Sequence, residues 1–329
     1  MNTDYINTKE APEGFPSPFG GGREEAIVLE NITKSYDKGS VLALDSVNLK
    51  VRKGELFGLI GPDGAGKTTL FRILTTLLLA DKGSASVSGY DVVKDYKKIR
   101  NSVGYMPGRF SLYQDLTVHE NLTFFATLFG TTIEKNYDLI KDIYEQIKPF
   151  SNRRAGKLSG GMKQKLALSC ALIHMPDVLF LDEPTTGVDA VSRREFWDML
   201  KKLKQQGITI LVSTPYMDEA MLCERIALIQ NGKILSVDTP QNILAAFPKK
   251  LYGAKSGNIY GLLKNYRNFD AVESCFPFGE WLHITLKVEN ADGIRVLEDY
   301  AKSKNHQNAE VKLIQPTIED TFIRLSGTN

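Results

Sequence analysis

The chain has 329 residues, 42% hydrophobic and 24% charged, with a formal net charge of +2. That length exceeds the roughly 100–200 residues of one domain, so a large domain with a smaller companion is expected, and the near-neutral charge argues against a nucleic-acid partner. Cys170, Cys223 and Cys275 stand far apart with no CxxC or Cys/His spacing, which excludes a zinc motif or disulfide framework and fits a reducing compartment.

Residues 1–25 carry Pro12, Pro16, Pro18 and the Gly20-Gly21-Gly22 run, and they read as a flexible tail without the basic, apolar, small-residue order of a secretory signal. No apolar run approaches the ~20 residues that span a bilayer, so work at a membrane would require a partner polypeptide. From 27 to 51, Ile27-Val28-Leu29 and the alternation Val47, Leu49, Val51 predict strands of an antiparallel layer. Residues 56–60 predict a buried strand, then a glycine-rich turn and a helix over 67–79. Between 118 and 170, Leu122, Phe125, Leu128, Leu139, Ile143 and Ile147 recur at helical spacing, which predicts a helical subdomain inserted at about 110–170. Buried strands follow at 178–181 and 208–212, so the core sheet is expected to be mainly parallel and covered by helices. Residues 226–237, with Asn231-Gly232 at the centre, predict a hairpin. The pattern restarts after 247, where strands near 282–288 and 311–314 around a helix near 293–302 make a small α+β extension over 248–329.

The strongest chemical signal is Gly61-Pro62-Asp63-Gly64-Ala65-Gly66-Lys67-Thr68, a G-x-x-x-x-G-K-[ST] run between a predicted strand and a predicted helix. Glycines let backbone N–H groups turn toward phosphates, and the helix N-terminus adds favourable partial charge. Lys67 is placed to reach β- and γ-phosphates, Thr68 to ligate Mg²⁺, and Thr69 to add a phosphate contact. Asp182-Glu183 directly follows an apolar strand. Alone, such a pair reads as a solvated turn; beside a phosphate loop, Asp182 is expected to hold Mg²⁺ through water and Glu183 to polarise the attacking water. The histidines read as structural: His119 and His174 as solvated or capping at helix ends, His283 and His306 as part of the extension.

Leu158-Ser159-Gly160-Gly161-Met162 resembles the ABC signature LSGGQ, with Met162 in place of glutamine. The resemblance covers about 27–244, placing an ABC nucleotide-binding domain of P-loop NTPase type at 26–247. It implies that Ser159 and its glycines present N–H groups to the γ-phosphate of ATP on a second nucleotide-binding domain. It also implies that Tyr36 stacks on adenine and that Asp189 is the acid linking the two sites. Ser111-Leu112-Tyr113-Gln114-Asp115-Leu116-Thr117 resembles the lead-in of ABC-2 type exporters of the bacterial multidrug group. Gln315-Pro316-Thr317-Ile318-Glu319-Asp320-Thr321-Phe322 resembles the closing motif of their C-terminal extension, and as an amphipathic helix it would also pack Ile318, Phe322 and Leu325 inward. ATP and Mg²⁺ are the implied cofactors and transmembrane subunits of ABC-2 type the implied partners, with a peripheral position on the cytoplasmic face of the membrane.

Two positions depart from that pattern. The residue after Tyr105-Met106-Pro107 is normally a glutamine and here is Gly108; the loop after Ser213-Thr214 normally begins with histidine and here begins with Pro215. Losing one preorganised transition-state donor costs roughly 10²–10³-fold in turnover, whereas ground-state binding survives better. Two readings follow: a hydrolysing exporter subunit with an impaired site of its own, in a homo- or heterodimer, or a nucleotide-binding regulatory half with little hydrolysis. Soluble ABC proteins of translation or DNA repair usually carry tandem domains or a coiled coil, which this sequence lacks.

Overall fold

A computed structural model describes residues 24–288 and 292–327; the tail expected at 1–25 lies outside them except for Glu24 and Glu25, and Glu25 already opens the first strand. In chain order, β1 (Glu25–Tyr36) and β2 (Val41–Arg52) precede β3 (Leu56–Ile60) and α1 (Lys67–Leu74). Then come β4 (Lys82–Val87), β5 (Tyr90–Asp91), α2 (Tyr96–Ser102) and β6 (Val103–Met106). The inserted helices are α3 (Val118–Leu128), α4 (Tyr137–Tyr144) and α5 (Gly160–Leu172). The chain returns to the core through β7 (Val178–Asp182), α6 (Ala190–Gln205), β8 (Thr209–Thr214), β9 (Arg225–Gln230), β10 (Lys233–Asp238) and α7 (Pro240–Ala245). It ends with β11 (Leu251–Lys255), α8 (Ile259–Arg267), β12 (Val272–Phe278), β13 (Trp281–Leu286), α9 (Gly293–Ser303), β14 (Glu310–Ile314) and α10 (Ile318–Ser326).

These elements form three sheets: an antiparallel layer ordered β2-β1-β4-β5, a core ordered β10-β9-β3-β8-β7-β6, and a C-terminal sheet ordered β12-β13-β11-β14. From β9 to β6 every neighbouring pair in the core is parallel, and β10 adds an antiparallel edge. The fold is thus α/β with a mainly parallel sheet, as its alternating short apolar runs and helices imply. β3 shows why those runs are continuous: Leu56 and Ile60 enter one hydrophobic core, with the inserted helices and α6, while Phe57 and Leu59 enter the other, with α1 and the antiparallel layer. A strand buried on both faces has no polar side to alternate with. Asn231 and Gly232 both have positive φ, 49° and 74°, which matches the twist of the β9–β10 hairpin.

α1 ends at Leu74, short of the expected 79. Thr75 Oγ1 donates back to the Phe71 carbonyl at 2.8 Å, Thr76 turns left-handed at φ 62°, and the N–H groups of Leu77 and Leu78 both return to the Arg72 carbonyl. Apolar spacing continues past this point, but two β-branched residues close the helix first. The C-terminal unit holds more elements than the sequence pattern indicated. Its βαββαβ order includes β11, α8 and β12, whose aromatic and mixed stretches carry no clean period. Its own core, from Tyr252 to Val311, is separate from the other two.

α10 does not belong to that third core. Ile318 and Phe322 are buried in the main core, where the helix packs on α7 and on the turn at 217–222. On its other side Asp320 accepts from His283 Nδ1 at 2.7 Å, so α10 bridges the C-terminal sheet and the main core. Truncating this bridge with Phe322→Ala is expected to cost about 3 kcal/mol in urea unfolding, the usual magnitude for a buried phenylalanine.

Candidate functional site

Parallel register brings several loops to one edge of the core sheet. Ile60 stands beside Thr214, Asp182 beside Ser213, and Met106 beside Leu181. The segments leaving β3, β8, β7 and β6 therefore open at the carboxyl ends of the strands, where open α/β sheets bind ligands. These segments contain the phosphate loop, Pro215, Glu183 and Gly108.

The loop at 61–68 is shaped by its glycines. Gly64 and Gly66 have φ 78° and 104°, and a Cβ on Gly61 or Gly66 would lie 2.1 Å from the Ile229 carbonyl oxygen or 2.5 Å from that of Ala43. Pro62 accepts from Ala65 N–H at 3.2 Å to close the turn, and Asp63 points to solvent. α1 starts at Lys67, so the N–H groups of Lys67, Thr68 and Thr69 have no carbonyl partner within the helix and are available to an anion. Lys67 is only 3% exposed. Its ammonium donates to the Gly61 and Pro62 carbonyls at 2.8 and 3.0 Å and lies 3.1 Å from Glu183 Oε1. Tyr36 is half-buried, and its hydroxyl lies 3.2 Å from Thr69 Oγ1, which places the ring beside this helix start.

Asp182, 2% exposed, accepts from Ser213 Oγ at 2.6 Å. Glu183 has φ 51°, an unusual conformation for a residue with a Cβ, held by its N–H donating to Ser213 O and Ser213 Oγ at 3.1 Å. Such strain costs about 1–3 kcal/mol and concentrates at functional positions. Gly108 faces this corner: a Cβ there would lie 3.0 Å from the Asp182 carbonyl oxygen and 3.8 Å from Glu183 Cβ. Hydroxyl and carboxylate oxygens at Thr68 and Asp182 are the donor type Mg²⁺ prefers.

The 158–162 segment sits elsewhere. Leu158 is buried, and Ser159 caps α5 by accepting from Met162 N–H at 3.4 Å. A Cβ on Gly161 would lie 2.7 Å from Ser192 Oγ, and one on Gly160 3.5 Å from the Gly187 carbonyl oxygen. Asp189 joins this second group by capping α6, accepting from Val191 and Ser192 N–H at 3.1 and 3.0 Å. The Ser192 N–H holds its carboxyl below the usual range, so this cap is intact at neutral pH and is lost as acidification protonates Asp189. Tyr36, the phosphate loop, Asp182, Glu183 and Gly108 thus gather at one corner, while Leu158, Ser159, Gly160, Gly161, Met162 and Asp189 gather at another.

Sequence reasoning missed the polar frame behind the first corner. Glu219, 1% exposed, accepts from Thr185 Oγ1 at 2.8 Å and from Thr214 Oγ1 at 2.5 Å. Arg193 adds its Nε 3.8 Å from Glu219 Oε1 and lays its guanidinium 4.5 Å from the centre of the Tyr216 ring. The available signal was an acidic pair, Asp218-Glu219, just past a fully buried strand. His174 also departs from its expected solvated or capping role: it stacks on Phe129 with centroids 3.8 Å apart, its Nε2 lies 3.0 Å from the Val103 carbonyl oxygen, and burial lowers its pKa. Removing a buried donor to a carboxylate leaves that group unsatisfied, so Ser213→Ala is expected to destabilise the protein by about 1–3 kcal/mol in chemical denaturation.

The chain resembles a family of known proteins. A family model described as ABC transporter matches residues 44–186. The chain is 41% identical over 242 residues to the probable multidrug ABC transporter ATP-binding protein YbhF of Escherichia coli K12; the match covers 72% of this chain and 42% of YbhF, less than half of that relative's length. With the doxorubicin resistance ATP-binding protein DrrA of Mycobacterium tuberculosis it shares 33% identity over 318 residues, which is 92% of this chain and 93% of DrrA. Among solved structures, the ATP-binding cassette MJ0796, a dimer in a post-hydrolysis state bound to ADP and Pi, matches with a TM-score of 0.59 and 27% identity, covering 65% of this chain and 98% of that chain. The family match over residues 44–186, together with 33% identity along almost the whole of DrrA, places the chain in the ABC transporter family, among its ATP-binding proteins.

Proposed function

We propose that the chain is the ATP-binding subunit of an ABC-2 type exporter: it binds MgATP at Tyr36 and residues 61–69, pairs with a second nucleotide-binding domain, and drives separate transmembrane subunits from the cytoplasmic face. Residues 26–247 are the nucleotide-binding domain in this reading and 248–329 an extension. The observation that carries it is Lys67. A buried ammonium is costly unless it is paired, and here it rests on two loop carbonyls and on Glu183, inside a cradle of free helix N–H groups. On nucleotide binding Lys67 exchanges Glu183 for the β- and γ-phosphates, and Glu183, released, polarises the attacking water. Mg²⁺ would supply charge neutralisation between the phosphates, held by Thr68 and, through water, by Asp182.

The packing of the 158–162 segment supports pairing. It rests on Gly187 and Ser192 of its own chain, and in this reading its N–H groups are offered to ATP on the partner domain. MJ0796, a relative of the same fold, is dimeric in its ADP and Pi state. Among the described residues no helix is long and apolar enough to cross a membrane, in keeping with a path built by separate subunits. A cleft of about 300 Å³ beside Gly108, lined by Leu77, Tyr105, Phe110, Phe125 and Phe129 among others, offers those subunits an apolar seat.

Gly108 and Pro215 supply no donor where the family pattern has a glutamine and a histidine, which favours slow turnover at this site and gives weight to the regulatory half as the second reading. ATP binding and steady-state hydrolysis of the purified chain, alone and with its membrane partners, separate the two. Lys67→Ala is expected to abolish ATP binding, and Glu183→Gln to abolish hydrolysis while ATP still binds. Pro215→His is expected to raise turnover by about tenfold or more at unchanged affinity, as restoring a transition-state donor should. Wild-type turnover equal to that of Glu183→Gln would leave the regulatory half as the reading.

A further inference from the structure

We infer that Glu219 is a positioning residue for hydrolysis, acting through the backbone turn that carries Glu183; the inference rests on the proposed role of Glu183. Glu183 leaves β7 in a left-handed conformation, and nothing local favours that backbone. Two residues later, Thr185 donates its hydroxyl to Glu219 Oε1 at 2.8 Å, fixing the turn in which Thr186 N–H bonds the Glu183 carbonyl at 3.2 Å and Val188 N–H bonds that of Thr185 at 3.2 Å. The other carboxylate oxygen takes the Thr214 hydroxyl at 2.5 Å, whose oxygen in turn accepts from Tyr216 N–H at 3.1 Å across Pro215. One buried carboxylate therefore ties the exit of β7 to the exit of β8, with Glu183 on one side and Pro215 on the other.

The anchor is rigid from behind. Glu219 lies in the turn at 217–222, whose Ala220 is buried in the same core as Ile318 and Phe322 of α10. Arg193, 3.8 Å from Glu219 Oε1 and stacked on Tyr216, is the nearest cation and compensates the buried charge. Proline offers no side-chain hydrogen bond with which to order the Glu183 carboxylate, and glycine at 108 offers none either. The placement of Glu183 relative to Lys67 thus depends on the backbone turn, and the turn depends on Glu219.

The test measures kcat and KM for ATP hydrolysis, and ATP affinity by direct titration, in the full chain carrying Glu219→Ala, Glu219→Gln, Thr185→Val or Glu219→Ala with Thr185→Val. Misplacing a reacting group by about 1 Å costs on the order of 10²-fold, so Glu219→Ala is expected to lower kcat by about that factor while ATP affinity stays within roughly threefold. Glu219→Gln regains part of the loss, because its amide still accepts from one threonine hydroxyl and donates to the other. The double variant is no slower than Glu219→Ala, since both changes break one linkage. Glu219→Gln and Thr185→Val are nearly isosteric and keep the test valid if Glu219→Ala fails to fold. An unchanged kcat, parallel loss of kcat and ATP affinity, or multiplying effects in the double variant would overturn the inference. Hydrolysis that Glu183→Gln does not abolish overturns instead the reading of Glu183 on which it rests.

Discussion

The phosphate loop, Gly108, Glu183 and Pro215 all depend for their placement on the parallel register of β3, β8, β7 and β6. Each strand takes its neighbour one residue against one, from Leu56 with Ile210 to Ile60 with Thr214 and from Val178 with Thr209 to Asp182 with Ser213. Parallel strands need helical or looped crossovers, so all their exits face one edge, and residues more than a hundred positions apart in sequence become neighbours there. The strands are buried on both faces, which holds the register: a slip of one residue would send Phe57 and Leu59 into the core that receives Leu56 and Ile60.

At that edge the electrostatics are poised around one cation. Lys67 is paired with loop carbonyls and with Glu183, and Asp182 is satisfied by Ser213, so each buried charge has a partner before any ligand arrives. In the proposed function, exchange of partners by Lys67 would couple phosphate arrival to release of Glu183. The strained backbone of Glu183 survives because Ser213 holds it on one side and the Thr185–Glu219–Thr214 linkage on the other. Such strain persists only where its surroundings over-determine it.

The C-terminal unit enters this frame from outside. Its sheet has a separate core, yet α10 leaves it to bury Ile318 and Phe322 beside the turn that carries Glu219, while Asp320 keeps hold of His283. The amphipathic reading of the terminal helix is correct for Ile318 and Phe322, which enter the core of the other unit, and wrong for Leu325, which faces solvent at 44% exposure one turn beyond. A helix that packs in one core and hydrogen-bonds the sheet of the other unit joins the two.

The sequence by itself determined the phosphate loop, the α/β class, the hairpin at Asn231-Gly232 and the helical insertion. These features rest on interactions within a few residues or on a period that one element imposes on its own side chains. It also determined the absences at Gly108 and Pro215, since a missing side chain is visible without coordinates. Tertiary structure alone decided that Lys67 pairs with Glu183, that Ser213 holds Asp182, that Glu219 bridges Thr185 and Thr214, and that the 158–162 segment packs on Gly187 and Ser192. The early end of α1 and the full βαββαβ order were likewise settled by local side-chain hydrogen bonds and by long-range strand pairing. The reason is physical: hydrogen bonds between residues far apart in the chain are fixed by sheet register and crossover handedness, and neither leaves a periodic trace in the residues that make them.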